Sequence, residues 1–110
     1  MELKDIKSVY FIGAGGIGMS AIARYFLHRK LTVAGYDKTP SELTRQLEKE
    51  GMDIHYEENV GLIPEECRKP ASTLVVFTPA IPASHAELVY FHENGFEIQK
   101  RAQVLGTLTR

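Results

Sequence analysis

The sequence predicts an α/β fold: a three-layer αβα sandwich around a mainly parallel sheet of about five strands. Three observations carry this. Short β-rich runs alternate with segments of helical period along the whole chain. The first run, Ser8-Val9-Tyr10-Phe11-Ile12, lacks polar alternation, as a strand buried on both faces should. Glycines crowd the junction between that strand and the helix after it.

The elements follow in order. After residues 8–12 the chain turns at glycines. From Ile17 to about residue 29, Met19, Ile22, Ala23 and Phe26 recur at helical spacing, and His28-Arg29-Lys30 closes that helix with charge suited to its dipole. Residues 31–36 form a second strand ending at Asp37. Thr39-Pro40-Ser41-Glu42 reads as a helix start, with Thr39 as cap, Pro40 at the first helical position and Glu42 completing a capping box. Leu43 and Leu47 give this helix its inner face, and Gly51 stops it. Residues 53–56 are a short third strand. Residues 57–70 are polar, with two prolines and a weak helical piece near Glu65. Thr73-Leu74-Val75-Val76-Phe77 is the fourth strand. Ser84-His85-Ala86-Glu87 reads as a second capping box opening a helix through Leu88 and Phe91 to Gly95. Residues 96–99 make a fifth strand, and residues 101–110 a last helix. The expected strand order is 3-2-1-4-5.

The 110 residues are the size of one domain, expected to span 1–110, and show no repeat, linker or low-complexity segment. The apolar share of 44% and charged share of 25% are those of a globular protein. A net charge of −1 and the lack of any basic tract argue against nucleic acid as a partner. With one cysteine, Cys67, neither an internal disulfide nor a cysteine-rich zinc site is possible, and a lone thiol suits a reducing cytoplasm. No apolar stretch reads as a signal peptide or membrane span, so no membrane partner is expected. His28 and His92 fall on exposed helix positions, His55 at a strand end and His85 at a helix start. No pair has metal-ligand spacing, so no metal site is expected. The pairs Glu57-Glu58 and Glu65-Glu66 read as solvated faces. Arg68 and Lys69 beside Cys67 would lower its pKa, but no histidine partners it, and the thiol is read as inert.

The chemistry concentrates at Gly13-Ala14-Gly15-Gly16-Ile17-Gly18, a G-x-G-x-x-G turn and hence a Rossmann-like fingerprint. A strand precedes it, a helix follows, and Asp37 ends the next strand about 20 residues on. Gly13 permits the tight turn, Gly15 lets a pyrophosphate approach the backbone, and Gly18 lets the helix pack closely. Open N–H groups from Gly16 to Met19, with the helix dipole, would attract the anion, and the Ser20 hydroxyl adds a donor. Asp37 is placed to accept from a ribose hydroxyl. Thr78-Pro79-Ala80-Ile81-Pro82 follows a central strand, at the edge that lines the ligand crevice of open α/β sheets. Arg101 opens the last helix on that edge and suits a phosphate or carboxylate. No G-x-x-x-x-G-K-[ST] occurs, so the chain has no ATP-binding P-loop. On these residues alone, an NAD(P)-binding domain of a dehydrogenase and a stand-alone nucleotide sensor remain open.

The stretch Tyr10-Phe11-Ile12-Gly13-Ala14-Gly15-Gly16-Ile17-Gly18-Met19-Ser20-Ala21-Ile22-Ala23 resembles the start of the Mur ligases. So do Gly35-Tyr36-Asp37, Ser41-Glu42-Leu43-Thr44, residues 75–82 and Lys100-Arg101-Ala102-Gln103-Val104-Leu105, which together cover nearly the whole chain. The resemblance implies a three-domain enzyme of peptidoglycan biosynthesis whose N-terminal domain binds the UDP part of UDP-N-acetylmuramic acid. ATP and Mg2+ would bind a central P-loop domain, and ATP and L-alanine a C-terminal one, both expected beyond Arg110. The implied reaction passes through an acyl phosphate that the amine of L-alanine attacks. By position, Gly13, Ala14, Gly15, Gly16, Ile17, Gly18, Met19 and Ser20 would hold the diphosphate. Asp37, Lys38 and Thr39 would lie near the uridine, Thr78, Pro79, Ala80 and Ile81 would line the crevice, and Arg101 would reach the sugar-phosphate end. No catalytic residue and no cofactor is expected within this chain. Many relatives carry Ser-Ser or Ser-Pro at Thr78-Pro79, and Gly-His where Tyr56-Glu57 stands.

Overall fold

A computed structural model describes residues 3–16 and 18–108. Its sheet is parallel throughout, in the order β3-β2-β1-β4-β5, with β1 at Ser8–Ile12, β2 at Thr32–Tyr36, β3 at Asp53–His55, β4 at Thr73–Phe77 and β5 at Glu97–Lys100. This is the order expected from the sequence. Strand β1 is central and buried along its whole length, which is why its sequence lacks polar alternation.

Helices cover both faces. On one, α1 (Met19–His28), α2 (Glu42–Lys49) and α4 (Arg101–Leu108) close over Val9, Phe11, Val33 and Val76 with Ile22, Phe26, Leu47 and Val104. On the other, α3 (Ala86–Glu93) and two 3-10 turns, Val60–Leu62 and Glu65–Arg68, cover Tyr10, Ile12, Ala34 and Val75 with Phe91, Ile63 and Cys67. Alternate residues of β1 feed opposite cores, as strand geometry requires.

Two helix starts differ from expectation. Helix α2 starts at the cap Ser41, not Thr39. The Ser41 hydroxyl accepts from Thr44 N–H at 3.1 Å, and Thr44 Oγ1 accepts from Ser41 N–H at 2.8 Å, so Thr44 and not Glu42 completes the box. Thr39 lies before the helix, where its amide donates to Asp37 Oδ1 at 3.0 Å. Helix α3 is capped by His85 rather than Ser84. Its Glu87 does not turn back to the cap but points inward, fully buried, to Tyr10, His55 and the backbone N–H of Asn59. Helix α1 closes as expected through His28, Arg29 and Lys30, with Arg29 as its C-cap, Lys30 held left-handed at φ 61° and Leu31 N–H bonded to Phe26 O. Ile17, the expected start of α1, and residues 109–110, the expected end of α4, lie outside the described residues.

Candidate functional site

A cleft of about 570 Å³ opens at the carboxyl ends of β1, β2 and β4, where the strand order reverses. The segments after these strands build its walls. Gly13, Gly15 and Gly16 form one side, Asp37 and Lys38 the second, and Thr78, Ala80 and Ile81 the third. Eight of the sequence-predicted residues therefore meet in one place.

The glycine turn is packed tightly against its neighbours. A Cβ on Gly15 would lie 2.7 Å from Asp37 Oδ2, and one on Gly16 would lie 2.7 Å from Thr78 Cγ2. The close approach that Gly15 permits is thus made by a carboxylate of the protein. Asp37 Oδ2 accepts from Gly15 N–H at 2.5 Å, while its Oδ1 holds Thr39 N–H. Asp37 was expected to face a ribose. In this structure it braces the turn.

The other amides also depart from the expected anion cradle. Gly16 N–H bonds to Gly13 O at 2.9 Å, and Met19 N–H to Gly16 O at 3.1 Å. Gly13 and Ala14 both donate to Tyr36 O. Ala14 and Met19 are buried, so they support the turn from behind rather than face the cleft. Ile17 lies outside the described residues. The donors left at this end are Gly18 N–H and the half-buried Ser20 hydroxyl, for which no partner is present among the described residues.

Arg101 lies beside this helix end, and like Gly18 and Ser20 it is not among the residues that line the cleft. Gly18 caps α1 at φ 79°, a left-handed conformation that favours glycine. A Cβ there would sit 2.9 Å from Arg101 Nη1 and 3.0 Å from its Cδ. So Gly18 leaves room for Arg101 rather than for sheet packing. The half-buried guanidinium has no ion pair or hydrogen bond among the described residues, and lies at the positive end of the α1 dipole. A cation and a helix N-terminus side by side are groups that attract an anion. Thr39 and Pro79 are exposed and do not line the cleft.

Three cleft residues escaped the sequence reading: Tyr36, Glu58 and His85. Each follows or ends a strand at the carboxyl edge. The rule that pointed to residues 78–81 extends to them, had the long loops after β3 and β4 been taken to fold back over the edge. Among the described residues no group of three His, Cys, Asp or Glu is placed to hold a metal ion, and no helix is long and apolar enough to cross a membrane.

Comparison with known proteins agrees with this fold. The UDP-N-acetylmuramate--L-alanine ligase of Parabacteroides distasonis is 60% identical over 110 residues, covering 100% of this chain and 24% of that protein. The protein of the same name from Phocaeicola vulgatus is 63% identical over 109 residues, covering 99% of this chain and 24% of the relative. The crystal structure of the UDP-N-acetylmuramate-alanine ligase of Thermotoga maritima superposes with a TM-score of 0.81 at 29% identity, over 94% of this chain and 23% of that one. The chain thus spans about a quarter of the length of these relatives. None of the three carries a dehydrogenase or sensor description, and those two readings gain no support. The family model described as "Mur ligase family, catalytic domain" matches residues 8–110, and the chain belongs to the Mur ligase family.

Proposed function

We propose that residues 1–110 form the UDP-sugar-binding domain of a cytoplasmic, ATP-dependent ligase that joins L-alanine to UDP-N-acetylmuramic acid in peptidoglycan biosynthesis. The observation that carries this reading is the Arg101 guanidinium, without a partner among the described residues, lying against Gly18 at the start of α1. It fits the diphosphate of the substrate named in the relatives' descriptions.

In this reading the diphosphate binds Gly18 N–H, Ser20 Oγ and Arg101, with the glycine turn of residues 13–18 beneath it. The uridine lies toward Asp37 and Lys38, and Thr78, Ala80 and Ile81 close the other wall. Carboxylate activation is chemistry for ATP and Mg2+. The residues present do not fit that pair, because the chain has no P-loop and no metal-binding cluster among its described residues. We therefore assign ATP, Mg2+ and L-alanine to other parts of the full-length enzyme and assign no catalytic residue here. What this chain does is hold and orient the nucleotide sugar.

Calorimetric titration of the chain with UDP-N-acetylmuramic acid, UDP and NADH tests the reading. Binding of both uridine ligands with little response to NADH is expected. The reverse ranking overturns it in favour of a dinucleotide site.

A further inference from the structure

His85 is 4% exposed, yet its Nε2 has no hydrogen-bond partner. A buried polar atom left unpaired is uncommon and calls for a reason. The other ring nitrogen, Nδ1, accepts from Glu87 N–H at 3.2 Å, so in the neutral ring the proton sits on Nε2. The ring is held edge-on against Tyr36, with centroids 4.8 Å apart, and both residues line the cleft. The neighbouring acceptor, Glu58 Oε1, is 3.7 Å from Nε2, too far for a hydrogen bond. Glu58 is itself fixed, because its Oε2 accepts from Ala86 N–H at 2.8 Å. The cleft thus presents one N–H donor and one carboxylate acceptor side by side, both anchored at the start of α3.

We propose that His85 and Glu58 read the base of the bound nucleotide and select uracil over cytosine. Uracil offers an acceptor, O4, beside a donor, N3–H. Nε2–H donates to O4, and Oε1 accepts from N3–H. Cytosine inverts both positions: its 4-amino group meets the imidazole N–H, and its bare N3 meets the carboxylate. A site built around such a pair rejects the inverted edge because both of its polar groups are then left unpaired. Guanine carries the same keto and N–H pair on a larger ring, so the pair sorts keto from amino bases. The inference rests on the reading of this cleft as a UDP-sugar site and adds which residues choose the base.

The test is calorimetric titration of the chain with UDP and CDP, for wild type, Glu58→Gln and His85→Asn. Glu58 is exposed, and glutamine keeps an oxygen for Ala86 N–H, while asparagine at 85 remains a good helix cap, so both variants are expected to fold. Wild type should bind UDP at least about tenfold tighter than CDP, and each variant should bring the ratio to within about threefold. Equal affinities in wild type, or a ratio unchanged in both variants, overturn the base-reading role while leaving the nucleotide site in place. If neither uridine nor cytidine diphosphate binds and NADH does, the proposed function fails first and takes this inference with it. A general loss of structure would weaken both ligands alike, so a selective change in the ratio reports base reading.

Discussion

Asp37 grips the glycine turn from the neighbouring strand: its Oδ2 accepts from Gly15 N–H at 2.5 Å across a separation of 22 residues. The carboxylate ties the end of β2 to the turn after β1 and fills the space that a side chain at 15 would need. Gly15 and Asp37 are therefore energetically coupled. Gly15→Ala should cost about 1–3 kcal/mol, since its Cβ displaces an oxygen and orphans an amide. In an Asp37→Ala background the same change should cost less, although Thr44 Cγ2 still stands 3.1 Å from that Cβ. A double-mutant cycle by urea unfolding measures this, and strict additivity would exclude the coupling.

Arg101 should matter for binding and little for folding. Replacing it with alanine removes a charged donor from the end of α1 where the diphosphate is proposed to bind. Affinity for UDP should fall about 10–100-fold, and the melting temperature should hardly move. Uridine, which has no phosphates, should bind wild type and variant alike. Equal loss for uridine and UDP would place Arg101 elsewhere in the binding scheme.

Glu87 is the buried acid that holds the α3 wall. It gathers Tyr10 Oη, His55 Nε2 at 2.8 Å and Asn59 N–H at 3.1 Å, and its own amide sets the His85 ring. Glu87→Ala leaves these groups without their shared acceptor and should destabilise the fold by about 3–5 kcal/mol, with Glu87→Gln milder. Denaturant unfolding gives the value, and a loss below 1 kcal/mol would contradict the role assigned to the network.

Burial pushes the Cys67 thiol up to about 12, and it also raises the Tyr10 phenol, with Glu87 adding to that rise. Both groups are neutral when protonated, and both hold that proton more tightly when folded. Stability from them is complete below the unfolded thiol value of 9.0 and is lost as pH climbs from there toward about 12. Unfolding midpoints should be flat up to about pH 9 and fall above it. The same burial should keep Cys67 silent toward thiol reagents until the chain unfolds. Rapid labelling of the native chain at neutral pH would contradict this. Arg68, which the sequence places beside the thiol, instead donates to Ile63 O and Val60 O.

The uneven success of sequence reading has physical causes. Strands β1 and β4 were legible because burial on both faces forces unbroken apolar runs. The expected cleft formed because β1, β2 and β4 end together at one edge. Long-range polar choices were not legible. Nothing near position 87 says that this glutamate will turn inward to Tyr10, 77 residues away, instead of back to its own cap. Nor does the spacing of Gly15 and Asp37 say that the acid will take the amide. Nor does the local pattern of Thr39 and Ser41 say which hydroxyl will cap α2, and the chain turns at Asp37 and Thr39 before the helix begins at Ser41. His85 and Glu58 lie in polar loops whose folding over the cleft depends on the network around Glu87.

The place where the diphosphate docks decides the function proposed for this chain. Backbone amide spectra of the chain titrated with UDP test this directly. The largest shifts should fall at Gly18, Ser20 and the Arg101 side chain, with smaller ones at Gly15 as Asp37 adjusts. Saturating shifts confined to other surfaces, with Gly18, Ser20 and Arg101 unmoved, would contradict it.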